Sequence, residues 1–497
     1  MYIGLDLGTS GVKSVLFDLQ GSVLLRSCRS YPLVELTEGL ELNPEVVWRA
    51  VLDVLKETAA GGFPVKAIGI SSLGEACIPV AKDGRALANA ILPADKRGRK
   101  ELEVFLKRLP EQQIVEITGL PVNGTYSLCK IMWLRENRPA VFEQVWKFML
   151  FGDYIAYKLT GNAATSPSLA SRTMTMNLIE NDYSYKILSE ADISKDLFSP
   201  ILSAGIRIGK LGGEIARETG LPENTEVFSC GHDQPCAALG AGILTKGQAV
   251  DTTGTSECIT PVMGNQPFSA SFIRETNLAC EPFFPQGSYS TMAFTHTAGR
   301  LLNWFVKDIL GGEAACREDV YRVYDAMCRE TPSGLLILPH FSGSGTPYMD
   351  ALSTGAIAGL TLRTTKAEIY QALMESVTYE MKFNLDLLRQ SGISVQTMAA
   401  VGGGANSEIW LRYKANIYGI PVYTLACGEA SAMGAAIIAA VGNGEFSSLP
   451  EAVQAMVHTS RKFEPEEKIV RKFASVYETY QGFYQAMKVL WERKENQ

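Results

Sequence analysis

Asp251-Thr-Thr-Gly-Thr-Ser256 lies between two apolar runs, Gly247-Gln-Ala-Val250 and Cys258-Ile-Thr-Pro-Val262. The pattern is strand, tight turn, strand. A turn built of Gly254 and small hydroxyl residues lets backbone N–H groups approach an anion closely. Thr253, Thr255 and Ser256 add hydroxyl donors. The chain opens on the same device: Tyr2-Ile-Gly-Leu-Asp6 reads as a strand, Leu7-Gly-Thr-Ser-Gly11 as the turn, and 12–18 as a second strand. Either turn alone reads equally well as a plain hairpin. The pair, each starting a half of domain size, points to two related domains facing one phosphate-bearing ligand.

A chain of 497 residues predicts two or three domains. Hydrophobic residues at 46% and charged residues at 20% are ordinary for a globular protein. The net charge of −7, without a Lys/Arg block, argues against nucleic acid as a partner. No apolar run approaches the ~18 residues of a membrane span, and the opening strand is no signal peptide. Ten cysteines without a C-x-x-C pair, and four histidines without metal spacing, read as reduced thiols with no structural zinc. A cytoplasmic protein with no membrane partner is expected, with a homodimer left open.

Outward from the two turns, the first half alternates β and α. A helix is predicted over 44–60 behind an Asn43-Pro44 cap, and a strand over 65–70. Residues 100–225 read as mainly helical, and 226–230 as a strand running into Gly231-His-Asp-Gln234. The second half predicts strands to about 295 and helices over 297–310, 366–391, 407–418, 430–441 and 466–492. Strands fall at 398–401 and 422–425, the first opening onto Gly402-Gly-Gly-Ala-Asn406.

Three places could carry chemistry. Asp6 stands beside the first turn, where a carboxylate either holds Mg²⁺ at the phosphates or caps the turn. Asp233 stands where a strand gives way to a helix, a common active-site position in α/β folds. It is the candidate general base for an acceptor hydroxyl, a helix cap being the alternative. The triple glycine at 402–404 could admit the face of a nucleotide or be a plain loop. There is no G-x-x-x-x-G-K-[ST], and no G-x-G-x-x-G after the first strand, so Walker and Rossmann nucleotide sites are disfavoured.

With these residues placed, nearly the whole chain resembles the FGGY family of carbohydrate kinases, in the actin–hexokinase-like superfamily. Leu5 to Lys13 resembles its first phosphate loop, and Lys130-Ile-Met-Trp-Leu-Arg-Glu136 its first signature, from which Thr125 departs. Asp153 to Gly161 and Gly231 to Gln234 resemble further family segments, the latter the catalytic one. Gly355 to Leu360 with Glu368 and Glu375 resembles the second signature, with Leu373 a mild departure. Gly402 to Asn406 is similar to the adenosine motif.

The resemblance implies an α/β fold of two actin/ribonuclease-H-like domains, 1–245 and 246–497, with a nucleotide and sugar cleft between them. It implies ATP held by Gly8, Thr9, Ser10 and Lys13 on one side. Gly254, Thr255, Ser256, Gly402, Gly403, Gly404 and Asn406 would hold it from the other. Mg²⁺ would lie on Asp6 and Asp233, with Asp233 as base and the cleft closing between Asp6, Asp233 and Asp251. The reaction implied is ATP-dependent phosphorylation of a sugar hydroxyl, a ketose such as a pentulose. A polyol or sugar-acid kinase is the alternative within enzymes, and a non-catalytic ATP- or sugar-binding regulator the alternative outside them.

The substrate loop reads Ser71-Ser-Leu-Gly-Glu75. Members acting on glycerol usually end it with Arg-Glu, and members acting on xylulose usually carry Gln-Met-His-Gly; this chain matches neither. Gly74 in place of Arg, with Thr125 in place of Tyr, predicts a roomier pocket with one fewer fixed donor. Glu75, Asp95, Arg97, Asp233 and Gln234 are the candidate sugar contacts; Asp95 and Arg97 read equally as the start of a surface helix.

Overall fold

The structure, a computed structural model, describes residues 1–37, 39–311 and 319–495, so Cys316 lies outside the described residues. Two mixed sheets organise it. The first is built from β1 (Tyr2–Leu7), β2 (Gly11–Phe17), β3 (Val23–Ser30), β4 (Ala67–Ser72), β5 (Arg207–Lys210) and β6 (Glu226–His232). Their order is β5-β6-β4-β1-β2-β3, with β1, β4 and β6 parallel. The second holds β7 (Gln248–Thr253), β8 (Glu257–Gly264), β9 (Glu281–Pro282), β10 (Tyr289–Ser290), β11 (Ala293–Thr295), β12 (Thr397–Val401), β13 (Val422–Leu425) and β14 (Thr459–Phe463). Their order is β9-β10-β8-β7-β12-β13-β14, with β11 also beside β8. In each sheet an antiparallel hairpin is followed outward by two strands parallel to its first, β2-β1-β4-β6 and β8-β7-β12-β13. The two matched turns are the tips of these two hairpins.

Helix α1 (Pro44–Ala59) covers one face of the first sheet. Asn43 Oδ1 accepts from the Glu45 N–H at 2.9 Å, and Pro44 takes the first helical position, where its missing N–H costs nothing. Val47, Val51, Val54 and Leu55 then fall on one stripe and pack on Ile3, Leu5, Leu16 and Ile68. Helix α2 (Phe151–Thr160) joins the same core through Tyr154, Ile155 and Leu159. In the second half, α4 (Lys366–Gln390) and α5 (Glu408–Tyr418) cover the outer face, with Tyr370, Leu373, Trp410 and Leu411 against Ala249, Met398 and Ala400.

Between the sheets lie α3 (Asp233–Gly240) and α6 (Ala430–Gly442). They share one core with Tyr2, Val15 and Phe228 of the first sheet and Val250, Val262 and Ala399 of the second. Although α6 follows β13 of the second sheet, it lies directly on the first. A Cβ at Gly4 would sit 1.8 Å from the Ala432 carbonyl oxygen, and one at Gly69 2.0 Å from that of Ala435. The two helices touch in the same way, Gly240 against the Ala430 carbonyl and Gly434 against that of Cys236, each 1.9 Å from a would-be Cβ.

Among the unexpected elements are two short helices, Ala270–Thr276 and Leu449–Met456, and strand β14, and the predicted helix over 466–492 is two, Glu467–Tyr480 and Phe483–Glu495. The unexpected helices span only two turns, too short for periodicity to show, and are started by the side chains of Ser269 and Ser448. Gly482 separates the last pair. Gly434→Val would drive a branched side chain into the Cys236 backbone, where overpacking costs about 1–3 kcal/mol or more. The expected outcome is a lower urea midpoint; an unchanged midpoint would show that the α3–α6 contact relaxes without cost.

Candidate active site

The chemistry-bearing residues of the first half gather where its parallel strands end. Asp6 in β1 lies beside Ser71 in β4; Ser71 lies beside Gly231, and Ser72 beside His232, in β6. The β6 register slips between Ser229 and Gly231, a bulge that re-aims the strand end. Gly231 is at φ 153°, and a Cβ there would come 2.3 Å from Ser168 Oγ. That hydroxyl instead accepts from the His232 N–H at 3.0 Å. The chain then turns into α3, so Asp233 is the first residue of a helix and Gln234 the second.

Burial raises the Asp6 carboxyl, the Asp233 charge adds to it, and it is pushed up to about 7. Asp233 is raised as well, by burial first and then by Glu75 and Glu281, while His232 pulls it back. Two half-exposed acids, one of which raises the other, are a place where a divalent cation is welcome, and oxygen donors are what Mg²⁺ takes. The pair therefore fits the expected metal, with the remaining positions left to phosphate and water.

Beside the pair is a buried ionic chain that the sequence did not reveal. Arg172 Nε donates to Glu75 Oε1 at 2.7 Å; Nη2 donates to the same oxygen and Nη1 to Glu281 Oε1. Its guanidinium carbon lies 5.3 Å from the centre of the Tyr126 ring. Glu281 Oε2 is 3.4 Å from His232 Nδ1, and His232 Nε2 is 3.2 Å from Asp233 Oδ1. Burial works against a charged His232, but Asp233 and Glu281 outweigh it and its pKa is raised. Glu75 itself sits at φ 56°, a left-handed conformation costing about 1–2 kcal/mol that is tolerated where surrounding contacts over-determine it. Its carbonyl accepts from Ser127 Oγ at 2.5 Å.

This corrects the expectation of a roomier pocket at Gly74. A Cβ there would lie 2.8 Å from Arg172 Cγ and 3.2 Å from His232 Cδ2. The space is already filled, and the guanidinium absent from position 74 arrives from position 172. No local signal announces it, because Arg172 and Glu281 are 109 positions apart in the chain.

The tips of both turns are open. Thr9, Ser10, Gly254, Thr255 and Ser256 are exposed and Gly8 is half-buried; the Gly8 N–H donates to the Gly11 carbonyl and the Gly254 N–H to that of Ser256, both at 2.9 Å. The triple glycine lies against the second turn. A Cβ at Gly402 would come 2.6 Å from the Thr253 carbonyl oxygen, and one at Gly404 2.6 Å from Thr253 Cβ. Gly254, Gly403, Gly404 and Asn406 line a pocket of about 620 Å³ with Tyr321, Asp325, Tyr370 and Trp410, a size that suits a nucleoside.

Two residues expected to face the cleft do not. Asp251 is fully buried, and its Oδ2 lies 2.6 Å from Lys414 Nζ. Thr253 is buried beside it, its Oγ1 2.6 Å from Lys414 Nζ and 3.2 Å from Glu257 Oε2. Glu257 Oε2 is 3.0 Å from the same ammonium and Oε1 accepts from Tyr418 at 3.2 Å. Lys414 on α5 thus cross-braces the root of the second hairpin, and its hydroxyl donors at the tip reduce to Thr255 and Ser256.

Lys13, the cross-strand neighbour of Asp6, places its ammonium 2.9 Å from Glu429 at the start of α6, and Arg26 binds the other oxygen of that carboxylate at 2.9 Å. Asp95 and Arg97 are committed to each other, at 2.6 Å. Arg97 also reaches Glu41 at 2.8 Å and stacks 5.0 Å over Trp133. They line a separate pocket with Leu40, Lys96 and Trp133. Nor do they start a surface helix: Asp95 is buried, and the helix that follows begins at Arg99 behind Gly98. Gln234 stays beside Asp233, its buried Oε1 without a hydrogen-bond partner.

Comparison with known proteins now decides the family. The N-terminal domain of the FGGY family of carbohydrate kinases matches residues 1–240, and its C-terminal domain matches 249–442. The chain belongs to the FGGY family of carbohydrate kinases. This FGGY kinase is 30% identical over 490 residues to the xylulose kinase of Bacillus subtilis (strain 168), covering 97% of this chain and 96% of that one. In fold it is similar to solved structures of a gluconate kinase and a xylulose kinase from Lactobacillus acidophilus. Each has a TM-score of 0.89 and 22% identity, with 99% of both chains covered. Among its described residues, no helix is long and apolar enough to cross a membrane.

The Lys414 brace yields a direct expectation. Lys414→Met would leave two carboxylates buried without their cation, a change that costs about 3–5 kcal/mol when one partner of a buried pair is removed. A denaturation midpoint equal to that of the parent protein would show that the brace contributes nothing.

Proposed function

We propose that this kinase transfers the γ-phosphoryl group of ATP to a hydroxyl of a ketose, a pentulose of the xylulose type, with Asp233 as general base. The observation that carries the reading is the position of Asp233. It starts a helix at the end of a parallel strand, beside Asp6 on one side and Glu75 on the other. The full-length similarity to xylulose kinase supports the choice of acceptor. A split at 245/246 agrees with the two sheets lying on either side of it, and the nine described cysteines, all free, suit a cytoplasmic setting.

ATP lies with its nucleoside in the pocket of Gly403, Gly404 and Asn406 and its phosphates between the two hairpin tips. Backbone N–H groups and the hydroxyls of Thr9, Ser10, Thr255 and Ser256 orient the γ-phosphoryl for in-line attack. Asp6 and Asp233 would hold Mg²⁺, which would neutralise charge on the phosphate oxygens. The sugar lies over Glu75, Asp233 and Gln234, which offer acceptors to its hydroxyls. Asp233 takes the proton of the attacking hydroxyl, and His232, 3.2 Å away, favours its ionised form. Closing the halves excludes water, the competing acceptor.

A turnover assay with ATP and a panel of ketoses and polyols tests the reaction. Asp233→Asn is expected to lower kcat by roughly 10²–10⁴-fold, with ATP affinity little changed; near-normal turnover would remove Asp233 from the role of base. The pH dependence has a definite sign. The base must be ionised and its pKa is raised, so kcat/KM should fall with acid above the ordinary carboxylate value of 3.8. His232 lowers that pKa, so His232→Gln should move the acid limb to higher pH. A limb that stays in place refutes the coupling.

A further inference from the structure

The proposed sugar end of the cleft carries an uneven charge. Glu75, Asp233 and Glu281 face one guanidinium, Arg172, and one imidazole, His232. Even with His232 protonated, these five side chains sum to one negative charge, and the Mg²⁺ expected at Asp233 would arrive with the larger negative charge of the ATP phosphates. Among the described residues, these are the cations paired to those three acids. In this arrangement three of the five N–H donors of Arg172, including its whole Nε–Nη2 edge, are committed to carboxylates. Nε and Nη2 are taken by Glu75, Nη1 by Glu281, and the plane lies over Tyr126. The residue is buried and Glu281 is entirely so.

Glu281 comes from the second half of the chain, in β9, and reaches across to the first. Arg172 would otherwise be the natural receptor for a substrate carboxylate, since a guanidinium binds that group bidentately. With Glu281 in place, an acidic sugar would bring a further negative charge to a cluster already in excess. Like charges set face to face cost several kcal/mol. A neutral sugar meets no such cost, because its hydroxyls donate to the acceptors of Glu75, Asp233 and Gln234.

We propose that Arg172, clamped between Glu75 and Glu281, is a specificity-determining residue that confines the enzyme to uncharged polyhydroxy acceptors and excludes sugar acids, Glu281 being the group that withholds it. The inference rests on the reading that Glu75 and Asp233 form the sugar end, and it decides between substrate classes that the fold leaves open. The assignment predicts a rejection set by charge, independent of carbon number.

The test is ADP release by the full chain with Mg·ATP and a panel of D-xylulose, D-ribulose, xylitol and D-gluconate. For the parent enzyme, kcat/KM for the best neutral acceptor should exceed that for gluconate by about 10³-fold or more. Glu281→Gln should narrow that ratio by at least about tenfold, mainly through a lower KM for gluconate, because one anion is removed and Arg172 is partly released. Glu281→Asp should keep the ratio, and Arg172→Met should not admit gluconate. Parent turnover of gluconate within tenfold of the best neutral acceptor overturns the proposal. So does a folded Glu281→Gln enzyme with an unchanged ratio. Should that variant not fold, calorimetric titration of the parent with gluconate decides, and binding as tight as that of the neutral acceptor overturns it. A panel led by xylitol would sink the ketose reading and leave this one standing; a panel led by gluconate would sink this one.

Discussion

Helices α3 and α6 approach so closely that a methyl group at Gly240 would sit 1.9 Å from the Ala430 carbonyl oxygen, and α6 lies as close again on the first sheet at Gly4 and Gly69. Contact at backbone distance leaves little freedom to slide, because each glycine faces a carbonyl and not the end of a flexible side chain. The helix carrying Asp233 at its start is therefore fixed against a helix from the second half. Glu429, just before α6, adds an ion pair to Lys13 and another to Arg26. The relation between Asp233, the first turn and the second sheet depends on this packed layer.

The two halves repeat one plan but use its acid differently. Asp6 and Asp251 each stand near the end of the first strand of a hairpin. Asp6 is half-buried, its cross-strand neighbour Lys13 is turned to Glu429, and its carboxyl is raised. Asp251 is sealed in and neutralised by Lys414, which also holds Glu257. One copy is left partly open and the other is committed to holding a turn. The physical difference is a single buried ammonium, which ties the Asp251 carboxylate into the root of its hairpin while the Asp6 carboxylate stays partly open.

What could be read from sequence was local. A Gly-Thr-Ser tip between two apolar runs, an Asn-Pro cap and an acid where strand meets helix each carry their meaning within about ten residues. These gave the two halves, both hairpins, the position of Asp233 and the triple glycine after a strand. The Arg172–Glu281 pair could not be read, since nothing near either residue marks it and only the tertiary fold joins them. The same holds for Lys414, a lysine on an amphipathic helix whose partners lie more than 150 positions away. Gly74 misled for a related reason. A missing side chain says that space exists, not that the space is empty, and here Arg172 fills it.

The ionic chain from Glu75 to Asp233 has a further consequence for how the site is assembled. Arg172 and His232 belong to the first half and Glu281 to the second, so the electrostatic setting of Asp233 spans both. Glu281 is held low by Arg172 and His232 although burial opposes its ionisation, so the carboxylate is stable there only with both cations in place. Conversely, His232 owes part of its raised pKa to Glu281, and Asp233 owes part of its ionisation to His232. A rigid-body opening that drew Glu281 away would leave Arg172 with Glu75 alone and would weaken the charge on His232. The charges carried by Arg172, His232, Asp233 and Glu281 thereby depend on how the two halves sit against each other, through electrostatics as well as through shape.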